Sequence, residues 1–108
     1  MAELTSRERV RIALEHREAD MVPFDFGGMR STGINAIAYN RLKEYLGIQG
    51  GTTKVYDVFQ QLAEPEEEVL RRMGGDVVQL HRYAPSFGIN IAQWKEGRLQ
   101  DGSKCLVP

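Results

Sequence analysis

The sequence predicts an α/β fold in which helices surround a small parallel sheet and a terminal β-hairpin closes the chain. Three observations carry that expectation. Two short apolar runs, Val22–Phe26 and Asp76–Leu80, have the length and side chains of buried strands. Stretches with apolar residues at helical spacing lie before and between them, as crossover helices do. Near the end, Asp101-Gly102 between apolar segments is one of the strongest short-range hairpin signals.

Thr5-Ser6-Arg7-Glu8 is a capping-box pattern, so a first helix is expected from Ser6 to about His16. Val10, Ala13 and Leu14 form its apolar stripe, with Arg7, Arg11, Glu15 and Glu18 turned to water or to a neighbouring element; Ile12 falls off the stripe and marks a second contact face. His16 stands where a protonated imidazole complements the helix dipole.

The stretch Met21–Gly33, MVPFDFGGMRSTG, is the one around which the chain is organised. Val22–Phe26 reads as a strand, with Pro23 near its start, where a missing ladder donor matters least. Gly27 and Gly28 supply a tight turn, and Ser31 or Thr32 offers an acceptor for the free amides of the helix that follows. Strand, turn and helix start are where an α/β protein commonly holds a ligand.

A second helix is expected over Asn35–Leu46 from the spacing of Ile34, Ile37, Ala38, Leu42, Tyr45 and Leu46, with Gly47 as its left-handed terminator. Gln49–Thr53 is a polar linker. Val55, Val58, Phe59 and Leu62 give Lys54–Ala63 a helical spacing, while Val55-Tyr56 alone is a strand start. Glu64-Pro65 opens a further helix in which Glu66, Glu67 and Glu68 sit at the positive end of the dipole and Arg71 and Arg72 at the negative end before Gly74. Asp76–Leu80, set parallel to Val22–Phe26, would deliver His81 and Arg82 to the functional edge of the sheet. Ile89–Trp94, a turn at Lys95-Glu96-Gly97, Arg98–Gln100 and Lys104–Val107 read as small antiparallel strands.

Composition narrows the function classes. With 14 basic and 15 acidic side chains in 108 residues, the net charge of -1 gives no basis for binding nucleic acid or an anionic membrane. No apolar run approaches the 18 or so residues that span a bilayer. Cys105 is the only cysteine, which excludes an internal disulfide and a cysteine cluster for metal and makes the cytoplasm the expected compartment. It lies in an apolar segment and reads as a small buried hydrophobe. No dinucleotide fingerprint, phosphate loop, H-E-x-x-H, G-x-S-x-G or C-x-x-C occurs; Gly74-Gly75-Asp76 follows a helix and precedes a strand, the reverse of the dinucleotide context.

Three stretches carry a family resemblance: Thr5–Asp20 with Val22-Pro23, Asn35–Ile48 (NAIAYNRLKEYLGI), and Val55–Asp76 (VYDVFQQLAEPEEEVLRRMGGD) running into Val77–Leu80. In order and spacing the chain resembles the amino-terminal third of the uroporphyrinogen decarboxylase superfamily, closest to the branch bordering on the cobalamin-dependent methyltransferases. The resemblance covers nearly the whole chain. It implies a single partial domain over residues 1–108, an amino-terminal fragment related to a TIM barrel, with active-site groups at strand ends. The decarboxylases carry two arginines after their first strand; here Gly28 occupies the first arginine position and Arg30 is a displaced counterpart, while Tyr83 falls where those enzymes have an aspartate. The methyltransferase-like members place a zinc site of histidine and cysteines in their carboxyl-terminal part, so cobalamin or zinc is expected only in a full-length parent, with a corrinoid protein as its partner.

The resulting expectation is a ligand site formed by Asp25, Gly27, Gly28, Arg30 and His81. Arg30 binds a carboxylate or phosphate group, Asp25 orients a polar ligand or pairs with Arg30, and the glycines permit close backbone approach. No catalytic residue is assigned, and the fragment is expected to be inactive by itself. The competing expectation is a non-enzymatic interaction or assembly domain that self-associates or binds a missing carboxyl-terminal portion, because a partial sheet leaves edges uncovered.

Overall fold

The protein is described from a computed structural model covering residues 3–80 and 93–108. Its core is built on α2 (Ala36–Leu46), which Asn35 caps by accepting from the Ile37 amide at 2.9 Å and Gly47 ends at φ 71°. The inward face carries Ala36, Tyr39 and Lys43; Tyr45, expected on that face, is 87% exposed. Lys43 is buried because its Nζ meets Glu66 at 2.7 Å, and the Glu66 amide donates to the Tyr39 hydroxyl at 2.8 Å. Burial, helped by the charges of Glu66 and Glu64, pushes the Tyr39 phenol up to about 12. These bonds seat α3 (Glu67–Met73), whose Glu67 and Glu68 at one end and Arg71 and Arg72 at the other match the dipole.

Strands β1 (Val55–Asp57) and β2 (Leu62–Ala63) pair antiparallel, so the strand alternative holds for this segment and the helical one does not. Asp57 turns the chain by accepting from the Phe59 and Gln60 amides at 3.0 and 2.9 Å, and Gln61 adopts φ 56°. The hairpin leans on the entry to α2 through Ala36 N to Gln61 O and Ala63 N to Ile34 O. A second hairpin joins β3 (Lys95–Arg98) to β4 (Lys104–Val107). Leu106 N donates to Thr53 O at 2.8 Å, and Thr53 also bonds Asn40, whose amide reaches Ser103 at 3.2 Å. Ala36, Tyr39, Val55, Ala63, Val69 and Cys105 thereby share one buried cluster.

The expected parallel sheet and its relation to a TIM barrel are overturned: the molecule is a small mixed α/β fold whose two sheets, among the described residues, are both two-stranded and antiparallel. Val22–Phe26 and Asp76–Leu80 do lie together, since Asp76 N donates to Phe24 O at 2.8 Å, but neither is a strand. The reason is local. Pro23 has no amide to give, and the Phe24 amide is taken at 2.8 Å by the Asp76 carboxylate, so a side chain occupies the donor a ladder would use. Lys95-Glu96-Gly97 forms β3 and not a turn; the reversal falls at Leu99–Ser103, closed by Leu99 N to Ser103 O and by Gly102 at φ 86°. The expected strand over Ile89–Trp94 falls mostly, and His81, Arg82 and Tyr83 wholly, outside the described residues.

Helix α1 (Ser6–Leu14) is docked by charge. Thr5 caps it as expected, accepting from the Glu8 amide, and His16 at φ 59° reverses the chain just beyond it, so the helix is shorter than its pattern. The apolar stripe does not bury: Leu14 is 76% exposed, whereas Arg9 is 5% exposed. The Arg9 guanidinium bonds Asp20 through Nε (2.8 Å) and Nη2 (3.0 Å), Asp76 through Nη1 (2.5 Å), and the Leu4 carbonyl (2.9 Å). Asp76 also accepts from Ser6 at 2.7 Å. Each oxygen of the two carboxylates has at least one donor, which is what makes a buried ion cluster tolerable.

Breaking it from one side should be expensive. Asp76→Ala leaves Arg9 desolvated and half-paired, and urea denaturation should read a loss of about 3 kcal/mol; a loss near zero would show the cluster to be energetically idle. A pH effect follows as well. Arg9 bonding, opposed by burial and aided by the Leu4 and Met21 amides, lowers Asp20 from 3.8 to about 2. Its stabilisation is therefore complete above the unfolded value near 3.8 and is lost as pH falls through about 2. Asp20→Asn should flatten the acid limb of the stability curve, measured by thermal melts from pH 5 to pH 2; an unchanged limb contradicts this assignment.

Candidate functional site at the Gly27–Gly33 loop

The loop after Phe26 is fixed by bonds within itself and to its neighbours. Asp25 accepts from the Gly28 amide at 2.7 Å, Gly27 N donates to Thr32 O at 3.0 Å, and the short 3-10 turn Arg30–Thr32 is closed by Gly33 N to Arg30 O at 3.1 Å. Thr32 bonds back to Met29 and does not cap α2; Asn35 does.

The two glycines are required by the protein's own packing. Gly27 has φ 76° and lies against Pro65, where an added Cβ would come within 2.5 Å of the ring. A Cβ on Gly28 would stand 2.6 Å from the Asp25 carboxylate and 2.8 Å from Val77. The room left by the missing side chains is thus occupied by Pro65, Asp25 and Val77. Asp25 orients the turn, and the carboxylate that pairs with Arg30 is a different one.

That partner is Asp57. Arg30 Nε lies 2.6 Å from Asp57 Oδ2; the Asp57 side chain is 6% exposed and that of Arg30 59%. The pair joins the loop to the β1–β2 turn, because the other Asp57 oxygen holds the Phe59 and Gln60 amides. Next to it Tyr56 is buried, and burial together with the Asp57 charge raises its phenol; Arg30 and Gln79 act on the same hydroxyl in the opposite direction. Gln79 in turn lines a cleft of about 400 Å³ that opens between Phe26, Gly27, Pro65, Leu70 and Val77.

The structure therefore brings Asp25, Gly27, Gly28 and Arg30 into one loop, while His81 lies outside the described residues. It adds Asp57 and Tyr56, which the sequence reading did not select. Their signal was the strand start Val55-Tyr56 followed by an aspartate that can cap a turn, hidden under the helical spacing of Val55, Val58, Phe59 and Leu62. Chemically, the cluster offers one exposed guanidinium, one buried carboxylate that accepts from two amides and is ion-paired with that guanidinium, and a buried phenol. Among the described residues no three His, Cys, Asp or Glu side chains converge as metal ligands, and the Cys105 thiol is buried with its pKa raised by that burial. No helix among the described residues is long and apolar enough to cross a membrane.

Because Pro65 fills the space beside Gly27, Gly27→Ala should cost about 1–3 kcal/mol through positive φ and overpacking together. Differential scanning calorimetry should show the loss, and a melting temperature equal to that of the unsubstituted protein would mean that the loop yields freely.

No protein-family model, curated protein or solved structure matches the chain.

Proposed function

We propose that the chain is part of a uroporphyrinogen decarboxylase-like protein, a decarboxylase or methyltransferase working on a tetrapyrrole- or corrinoid-linked substrate, in which Arg30 receives an anionic group of the ligand. The observation that carries this reading is the state of Arg30: its Nε is tied at 2.6 Å to a buried carboxylate while its side chain is 59% exposed. The exposed part of the side chain keeps donors that a ligand's carboxylate can meet, whereas Arg9 spends its donors on Asp20, Asp76 and the Leu4 carbonyl. The stretches Thr5–Asp20, Asn35–Ile48 and Val55–Asp76 support the family part of the reading by their order. Within the described residues the site supplies binding groups and no identified proton relay, nucleophile or methyl acceptor.

A second reading, an interaction or assembly domain, is favoured by a different observation. Val22 (84%), Val78 (76%) and Leu80 (96%) are strongly exposed on the two segments tied at Phe24 and Asp76. Large apolar side chains exposed on neighbouring segments are the kind of surface that a partner or a second copy covers.

Titration with a tetrapyrrole carboxylate and with a corrinoid should give binding that Arg30→Ala weakens about tenfold or more; equal affinity in the variant removes Arg30 from the site. For the second reading, sedimentation over a wide concentration range should show association that Val22→Asp abolishes, and a monomer that binds no hydrophobic dye would end it.

A further inference from the structure

We infer that the outer edge of β3 pairs with β3 of a second copy, antiparallel and centred on Gly97, so that the two hairpins join into a single sheet. The direction of the backbone groups fixes which residues are on offer. Leu99 N donates to Ser103 O at 2.9 Å, and in the register of the hairpin Gly97 faces Cys105 and Lys95 faces Val107. Antiparallel partners exchange their bonds at alternate residues, so Lys95, Gly97 and Leu99 turn their amides and carbonyls to the β4 side while Glu96 and Arg98 turn theirs away. Leu106, opposite Glu96, obeys the same alternation: its amide points away from β3 and meets Thr53 O at 2.8 Å. On its outer side β3 has no strand neighbour among the described residues, and Lys95, Glu96 and Arg98 are exposed.

The charges on that edge suit the strand itself. With Gly97 facing the partner's Gly97, the outward backbone groups of Glu96 meet those of the partner's Arg98, and those of Arg98 meet the partner's Glu96. Each such pair exchanges its backbone bonds and sets opposite charges directly across from each other, which is favourable. The adjoining registers in which outward groups still meet place Glu96 against Glu96 or Arg98 against Arg98, and a slip by one residue sets outward groups against inward ones. Within one chain Arg98 stands opposite Lys104, also exposed, a like-charged cross-strand pair that a carboxylate from outside relieves. Neither Glu96 nor Arg98 has an ion-pair partner among the described residues, and Arg98 gives one donor to Gly102 O at 3.1 Å. Charges on a sheet edge ordinarily keep strands apart; here they select one partner and one register. The assembly closes at a dimer, because the other edge of the hairpin is taken where β4 meets Thr53 and Lys54.

A strand of four residues buries far less than the roughly 1,600 Å² of a stable interface. The dissociation constant is therefore on the order of 1 mM, which NMR reads and sedimentation of dilute protein does not. The test uses the 108-residue chain carrying Val22→Asp, which removes association through the apolar side chains of Val22, Val78 and Leu80. Over a concentration series reaching a few millimolar, the Glu96 and Arg98 amide signals should move while that of Leu99, bonded to Ser103 O, stays in place. Glu96→Arg and Arg98→Glu should each weaken the pairing about tenfold, and an equimolar mixture of the two variants should restore it, because each strand then faces the opposite charge. Protection of the Leu99 amide from exchange shows that the hairpin is intact in each variant. Glu96 and Arg98 signals that do not move with concentration overturn the pairing of copies and leave the edge to some other extended chain. Movement that is present without Val22→Asp and lost with it assigns association to the apolar surface alone, and also overturns the inference. Single variants that pair as tightly as the chain without them, or a mixture that pairs no better than either variant, overturn the register.

Discussion

The Arg9 guanidinium is the point through which the amino-terminal part of the molecule holds together. Helix α1 has no apolar face buried to attach it, and Arg9 is its buried residue. One planar group with donors on all sides can reach Asp20, Asp76 and the Leu4 carbonyl at once, and it thereby ties three separate pieces of chain into a corner. Asp76 is the busiest member. Burial alone would raise its carboxyl, but the Phe24 amide, the Ser6 hydroxyl and Arg9 together lower it and keep it ionised. Since Asp76 also orders Phe24, the ion cluster sets where the following turn begins.

From that corner the organisation runs to the site by short steps. Phe24 is three residues before Gly27, Gly28 packs on Val77 immediately after Asp76, and Gly27 packs on Pro65 at the approach to α3. Helix α3 is seated in turn by Glu66, which takes Lys43 and donates its amide to Tyr39 on α2. Arg30 then leaves the loop to meet Asp57 at the far side. The loop is therefore spanned between three supports, the ion cluster, the start of α3 and the β1–β2 turn, each of which uses polar contacts that water would otherwise satisfy.

Local signals were legible where a single residue decides the outcome. Thr5, Gly47 and Gly74 mark helix ends by chemistry that acts within a turn, and Asp101-Gly102 marks a reversal, whereas α2 is capped by Asn35 and not by the expected Ser31 or Thr32. The failures arose where partners are distant. Nothing near Arg9 in the sequence indicates that it buries with Asp76, 67 positions away, and so the apolar stripe of Val10, Ala13 and Leu14 was given the contact face instead. The apolar content of Val22–Phe26 and Asp76–Leu80 suggested ladders because composition does not reveal that a carboxylate will take the Phe24 amide. The loop that carries Arg30 was found from its glycines, yet their cause was Pro65 and Val77, and the carboxylate opposite Arg30 lay in a segment whose spacing fits a helix as well as a strand.

Hydrogen exchange at single amides, compared between the unsubstituted protein and Arg9→Lys, tests the dependence of this corner on the guanidinium most directly. Lysine keeps the charge but has no planar fork to hold Asp20, Asp76 and Leu4 together. The account predicts that the Phe24 and Asp76 amides, bonded to the Asp76 carboxylate and to Phe24 O, lose protection in the variant, while the Leu106 amide on Thr53 O keeps it. Unchanged protection at Phe24 and Asp76, or an equal loss at Leu106, would contradict it.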